Sequence, residues 1–125
     1  MGKSNPSVDK SYALALRIIR LHHYLLEKHE YDLAREVLRC GTAVGQHVEE
    51  AVSGESPENF TTQMAVAYKE GRKTRYWIRL LRDSHLIDDE AAQSVLEDIE
   101  ELNKILFTIK RTSSVQSSPN EESQS

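Results

Sequence analysis

The sequence predicts an all-α protein, an antiparallel up-and-down four-helix bundle. Four segments carry apolar residues at alternating steps of three and four, which places them on one face of a helix. Pro and Gly are scarce, at 3 and 5 of 125 residues, which argues against a collagen-like chain and a turn-dense β-sandwich. The predicted connections are about 2–5 residues long, and such short connections make successive helices antiparallel neighbours.

The first two helices are predicted over residues 8–29 and 32–52. Ser7 or Asp9 is expected to cap the first helix and Asp32 the second, because a side-chain oxygen there can accept from a free amide of the first turn. The apolar stripes are Leu14, Ile18, Leu21 and Leu25, then Val37, Gly41, Val44, Val48 and Ala51.

The third helix is predicted to begin at Ser56-Pro57-Glu58, since a serine cap, a proline at the first helical position and an acid in the first turn form a coherent start. The fourth is predicted to begin at Asp88 or Asp89 and to end near Lys110-Arg111, where cations favour a helix C-terminus. The stripes are Phe60, Met64, Ala67, Gly71, Thr74, Ile78 and Leu81, then Val95, Ile99, Leu102, Leu106 and Ile109.

The bundle domain is predicted to span residues 8–112. Residues 1–7 are expected to form a flexible N-terminal tail and residues 113–125 a disordered C-terminal tail, because these segments contain too little apolar surface to order themselves. A chain of 125 residues usually forms one domain that needs no disulfide or metal. We find no secretory signal and no transmembrane stretch, and therefore expect a cytoplasmic protein without a membrane partner.

Catalytic and metal-binding motifs are missing from the sequence. There is no glycine-rich phosphate loop, nucleophile elbow or His-Glu-x-x-His. The Glu-x-x-His pairs of a di-iron bundle are also absent, His22 and His23 point to different faces, and the single Cys40 excludes a cysteine-based zinc site. We therefore expect no enzyme activity, no cofactor and no metal.

Charge is segregated along the chain. The formal net charge is −4, but residues 55–84 hold six basic and four acidic residues, while residues 85–125 hold three basic and nine acidic ones. Two interpretations stay open: a solvated face paired with acids of the fourth helix, or a surface that contacts phosphates. The basic residues are Lys69, Arg72, Lys73, Arg75, Arg79 and Arg82, with Arg35 and Arg39 as additions, and the acids are Glu97, Asp98, Glu100 and Glu101.

Other residues have a packing and a functional interpretation. Gly41, Gly45 and Gly71 lie inside predicted helices, where each costs about 1 kcal/mol relative to alanine. Close packing offsets that cost, or the backbone is left open to a ligand or a subunit. Trp77 is expected to face the core and Tyr76 to lie near Lys69, where packing or base stacking are the two roles. One further expectation is an ion pair of Glu49 or Glu50 with Lys69 or Arg72.

Two segments carry a family resemblance. Residues 38–51 and 65–81 resemble the motifs of the bacterial four-helix-bundle proteins encoded in 23S ribosomal RNA intervening sequences. The matching residues include Gly41, Thr42, Gly45, Glu49, Glu50, Glu70, Tyr76 and Trp77. Cys40, Gln46 and His47 depart from the usual Ser, Ala and Asn, and Gly71 replaces Ala.

The resemblance implies a four-helix protomer that assembles into a ring-shaped homopentamer. A related group, the accessory variability proteins of diversity-generating retroelements, is also pentameric and binds nucleic acid and reverse transcriptase. Additional apolar residues outside the main stripes favour subunit contacts as well. They are Tyr12, Leu16, Tyr24, Tyr76 and Leu80.

Two functional hypotheses follow. The first is a non-enzymatic oligomeric scaffold that presents the basic residues of the third helix to RNA, DNA or a nucleoprotein partner such as a reverse transcriptase. The second is a structural protein–protein assembly module that binds no nucleic acid. Binding to phosphates would be sensitive to salt, which separates the two.

Overall fold

The computed structural model describes residues 5–117, with side chains described to residue 114. Within that range it contains four helices and no strand. The helices are α1 (Pro6–Glu27), α2 (Tyr31–Val52), α3 (Pro57–Asp83) and α4 (Asp89–Ser117). The predicted all-α four-helix bundle is confirmed.

Contacts between neighbouring helices run in opposite directions along the chain, so the bundle is antiparallel. Each helix packs on the next, and α1 and α4 close the bundle over a smaller surface. The pairs are Ser11 with Gly45 and Ile18 with Gly41 between α1 and α2, His47 with Gln63 between α2 and α3, Tyr68 with Phe107 and Arg75 with Glu100 between α3 and α4, and Lys10 with Glu101 and Arg17 with Asp98 between α1 and α4.

The apolar stripes meet in a single core. Nearly all of the stripe residues are buried, and the remaining three, Leu21, Phe60 and Ile109, pack against the core while partly exposed. The largest fully buried side chains are Leu14, Ile18, Leu25, Val37, Val44, Val48, Met64, Ile78, Leu81, Ile99, Leu102 and Leu106. The step pattern therefore identified the buried face of every helix.

Helix α1 begins two residues earlier than predicted. Asn5 is its cap, in place of Ser7 or Asp9, and the Asn5 Oδ1 accepts from the amides of Ser7 (3.1 Å) and Val8 (3.4 Å). Pro6 occupies the first helical position, where the lack of an amide proton costs nothing. Residues 6 and 7 of the predicted N-terminal tail are therefore helical, and Ser7 is buried. Residues 1–4 lie outside the described range.

The ends of α2 and α4 also differ from the predictions. Asp32 lies in the first turn of α2 rather than at its cap, because Glu30 holds the cap position, without a capping side-chain hydrogen bond. Ser56 caps α3 as predicted, accepting from the Asn59 amide at 3.0 Å. Helix α4 continues to Ser117, five residues into the predicted C-terminal tail, while residues 118–125 lie outside the described range.

Two histidines form the turns that follow α1 and α3. His29 and His85 both have φ of 63°, in the left-handed region. In each turn the next amide bonds back to a helix carbonyl, Glu30 to Leu25 and Leu86 to Leu81, both at 2.9 Å. This is the Schellman arrangement, in which glycine is the usual residue at the left-handed position.

Candidate nucleic-acid interface

An open groove of about 820 Å³ lies along α3 and the adjoining face of α4. It carries six cations and one carboxylate, together with three aromatic side chains and one amide. The lining residues are Tyr68, Lys69, Arg72, Lys73, Arg75, Tyr76, Trp77 and Arg79 from α3, and Glu100, Asn103 and Lys104 from α4. The groove is therefore positively charged although the chain as a whole is acidic.

The structure divides the eight predicted cations into two groups. Lys69, Arg72, Lys73, Arg75 and Arg79 line the groove together. The other three lie outside it, each paired with an acid close in sequence: Arg35 with Asp32 (3.4 Å), Arg39 with Glu36 (2.7 Å) and Arg82 with Asp83 (2.8 Å). The Arg82 guanidinium, by its hydrogen bond, holds the pKa of the Asp83 carboxyl below its usual range.

The predicted pairing between α3 cations and α4 acids is found at one position. Arg75 Nε lies 3.1 Å from Glu100 Oε2. Two of the other acids face α1 instead, since Asp98 pairs with Arg17 and Glu101 with Lys10. Two of the four acids thus close the bundle against α1, and one pairs with α3.

Four groove cations have no carboxylate partner in the part of the chain that the structure describes. Within residues 5–114, no ion pair involves Lys69, Arg72, Arg79 or Lys104. Lys73 pairs with Glu70 at 3.4 Å on its own helix. Lys104 was not among the predicted cations, because it lies in the acidic fourth segment of the sequence. The packing of α4 on α3 brings it to the groove.

The aromatic residues take the predicted positions. Trp77 packs against the core, whereas Tyr76 is 53% exposed and meets the Trp77 ring edge-on at 5.7 Å. The Tyr68 ring contacts the Phe107 ring at 5.6 Å and has two cations 5.9 Å from its centre, those of Arg72 and Lys110. Tyr76 is therefore the aromatic side chain of the groove most open to a ligand.

The expected ion pair of Glu49 or Glu50 with Lys69 or Arg72 is wrong. His47 Nδ1 donates to Gln63 Oε1 at 2.6 Å across the antiparallel α2–α3 pair. That register places residues 49–50 opposite residues 60–61, roughly 12 Å along the axis from Lys69 at 1.5 Å per residue. Both glutamates are exposed, and neither has an ion-pair partner within the described residues.

Asn103 is the groove residue that the sequence prediction missed. It is 9% exposed, and its Oδ1 is buried without a hydrogen-bond partner in the described part of the chain. A buried polar group left without a partner costs about 1–3 kcal/mol. The sequence could have indicated that Asn103 is buried, because it follows Ile99 by four residues and precedes Leu106 by three. This spacing places it on the apolar stripe of α4.

Gly71 makes room for this amide. A Cβ at Gly71 would overlap Asn103 Oδ1 and lie 3.1 Å from its Cγ. The predicted close packing of the helical glycines is thus found at Gly71 against an amide, and at Gly41 against the Ile18 side chain. Gly45 has more space, because a Cβ at this position would lie 3.4 Å from the nearest atoms of Ser11.

Outside the groove, the described residues include one buried thiol and no cluster of metal-ligating side chains. Burial raises the pKa of the Cys40 thiol, which is 4% exposed. Among the residues that the structure describes, no cluster of three or more His, Cys, Asp or Glu could hold a metal ion. Over the same residues, no helix is long and apolar enough to span a membrane.

These features define an antiparallel four-helix-bundle protein with a basic, aromatic groove on its α3–α4 face. The chain belongs to the 23S rRNA-intervening sequence protein family, whose sequence profile matches residues 3–108. It is similar to a crystal structure of a protein of unknown function from the S23 ribosomal protein family of Bacteroides thetaiotaomicron. The two share 32% identity with a TM-score of 0.80, over 83% of this chain and 97% of that one. A comparison with curated proteins gives no match.

Proposed function

We propose that this chain is a non-enzymatic, cytoplasmic, oligomeric protein that binds RNA or DNA through the α3–α4 groove. The observation that carries the proposal is the set of four groove cations without an ion-pair partner in the described range: Lys69, Arg72, Arg79 and Lys104. A cation already paired with a carboxylate must lose that partner before it binds phosphate, whereas an unpaired one need not.

The arrangement of these cations suits a nucleic-acid backbone. Arg72 and Arg79 are seven residues apart on α3 and are both exposed on the same face. Seven residues at 1.5 Å per residue separate them by about 10 Å along the axis, a distance of the order of one to two backbone phosphates. Arginine guanidinium groups bind phosphate through paired hydrogen bonds, which favours arginine at such positions.

A binding titration at two salt concentrations tests this proposal. Charge reversal in an Arg72→Glu/Arg79→Glu variant should lower affinity at least about tenfold and reduce the salt slope by about two contacts. The matched control is Arg35→Glu/Arg39→Glu, which changes net charge equally on residues outside the groove and should retain the slope. Equal losses in both variants, or none in the first, would contradict the proposal.

A separate observation supports assembly of several copies. Tyr12, Leu16 and Ile19 form an exposed apolar stripe on α1, with 62%, 43% and 42% of their surfaces exposed. A stripe of this kind on a small bundle is typical of a subunit contact. We infer that it joins copies of this chain in a closed ring, and the family resemblance favours five subunits.

Light scattering tests the assembly. We expect a mass five times the 14.3 kDa protomer, and a Leu16→Glu/Ile19→Glu variant should shift toward the monomer. Val52→Glu, at an exposed apolar position of α2 outside the stripe, should leave the mass unchanged. A monomeric native chain would contradict this inference. An oligomer without salt-sensitive nucleic-acid binding would favour a purely structural assembly module.

A further inference from the structure

We propose that the α3–α4 groove binds an unpaired nucleotide of a single strand, with the base on Tyr76 and its edge at the amide of Asn103. This inference rests on the proposed nucleic-acid binding and specifies which form of nucleic acid the groove accepts. Three chemically distinct groups line the same groove: free cations, an open aromatic ring and an amide without a partner. Phosphate, base face and base edge are the three parts of a nucleotide that such groups recognise.

Tyr76 supplies the stacking surface. Tyr76 is 53% exposed, and the Trp77 ring is inclined at 76° to the Tyr76 ring with their centroids 5.7 Å apart, so Trp77 is not stacked in parallel on it. Tyr68 is less suited to this role, because Arg72 and Lys110 already lie over its ring. Aromatic stacking tolerates every base, so Tyr76 contributes affinity with little sequence preference.

Asn103 supplies the polar contact at the bottom of the groove. Its side chain is more than nine-tenths buried, and its amide makes no hydrogen bond in the described part of the chain. Rotation of the amide exchanges its oxygen and nitrogen, so the group can present either a donor or an acceptor to a ligand. Because one end of the amide lies against Gly71, a single amide atom reaches the base edge, and we expect it to distinguish A from U through one hydrogen bond, since the two bases place donors and acceptors differently.

The depth of the amide excludes a base pair. In an RNA duplex the base faces are stacked and the remaining edges lie within the two grooves, so a base cannot leave the duplex to enter a cleft between two α-helices that are in contact. A single strand can turn one base outward, and proteins that read RNA sequence commonly bind such unstacked bases. A duplex reaches only the cations at the rim.

Fluorescence anisotropy with labelled oligonucleotides of equal length tests the inference. The probes are oligo(A) and oligo(U) RNA, oligo(dA), and an RNA duplex. We expect the native chain to bind oligo(A) more tightly than the duplex, and Tyr76→Ala to lower single-strand affinity about tenfold. Tyr76→Phe keeps the ring and should bind as the native chain does, and neither variant should alter duplex affinity. The oligo(dA) arm shows whether the ribose 2′-hydroxyl contributes.

The Asn103→Ala variant tests the amide. It should reduce the difference in affinity between oligo(A) and oligo(U) while leaving the salt slope unchanged, and thermal unfolding confirms that the variant folds. Equal effects of Tyr76→Ala on single strands and duplex, or none, would overturn the inference while leaving the proposed function intact. If Arg72→Glu/Arg79→Glu changes no binding either, the proposed function itself fails.

Discussion

Gly71 of α3 lies directly against the Asn103 amide of α4, and a Cβ at position 71 would overlap Asn103 Oδ1. Each residue alone is unfavourable, since a glycine within a helix costs about 1 kcal/mol relative to alanine and the buried amide oxygen lacks a partner. The two are explained together, because the glycine provides the space that the amide occupies. An alanine at position 71 would displace this amide.

We therefore predict that Gly71→Ala and Asn103→Ala are not additive. In the native background the new methyl clashes with the amide and offsets the gain in helix propensity. With Asn103→Ala present, Gly71→Ala should stabilise the protein by up to about 1 kcal/mol. Urea unfolding of the four proteins should give an interaction energy of about 1–2 kcal/mol. Additive free energies would show that the contact has no energetic consequence.

The two glycines of α2 should respond differently to alanine. A Cβ at Gly41 would lie 2.6 Å from Ile18 Cγ1, in the core, so Gly41→Ala should destabilise by about 1–3 kcal/mol. A Cβ at Gly45 would meet Ser11 atoms no closer than 3.4 Å, so Gly45→Ala should be neutral or stabilising by up to about 1 kcal/mol. Thermal unfolding of both variants checks the order, which equal effects would contradict.

The helices were predictable because the stripe that each must bury is a local property of the sequence. Steps of three and four located the buried faces, and Ser56-Pro57 located the start of α3. The starts of α1 and α2 were harder to predict, since several neighbouring residues can serve as the cap. The sequence pattern does not show which of them caps the helix, and in α1 it is Asn5. The positive φ of His29 and His85 was also missed, because sequence rules expect glycine at such turns.

The candidate site was predictable in part. Five of the six groove cations and Tyr76 lie on one face of α3, so their spacing placed them together. Which of them stay unpaired depends on where the acids of α4 point, and Asp98 turns to Arg17 of α1, a contact between residues far apart in sequence. Asn103 and Lys104 join the groove through the same long-range packing.

Replacement of His85 by glycine should stabilise the protein. A residue with a side chain is strained at φ of 63°, and glycine is free of this strain, so His85→Gly should raise the free energy of unfolding by up to about 1 kcal/mol. His29→Gly should give less, because it also removes the 2.8 Å hydrogen bond between His29 Nδ1 and the Tyr31 hydroxyl. Ser84→Gly, at negative φ, serves as the control and should not stabilise. A destabilised His85→Gly protein in urea unfolding would contradict this account.

The buried thiol of Cys40 should make stability fall in alkaline solution. Burial raises the pKa of this thiol in the folded protein, whereas in the unfolded chain it ionises near about 8.5. The folded state therefore holds the proton longer, and its stability is complete below the unfolded pKa and declines as pH rises toward the folded pKa. Cys40→Ser removes this titration while other groups titrate as before.

The difference in free energy of unfolding between the native chain and Cys40→Ser should consequently be constant up to about pH 8 and shift above it in favour of the serine variant. The slope cannot exceed about 1.4 kcal/mol per pH unit, the limit for one proton. Urea unfolding between neutral pH and pH of about 10 measures it. Parallel stability curves would mean that the thiol ionises as readily inside the bundle as in the unfolded chain, which its 4% exposure argues against.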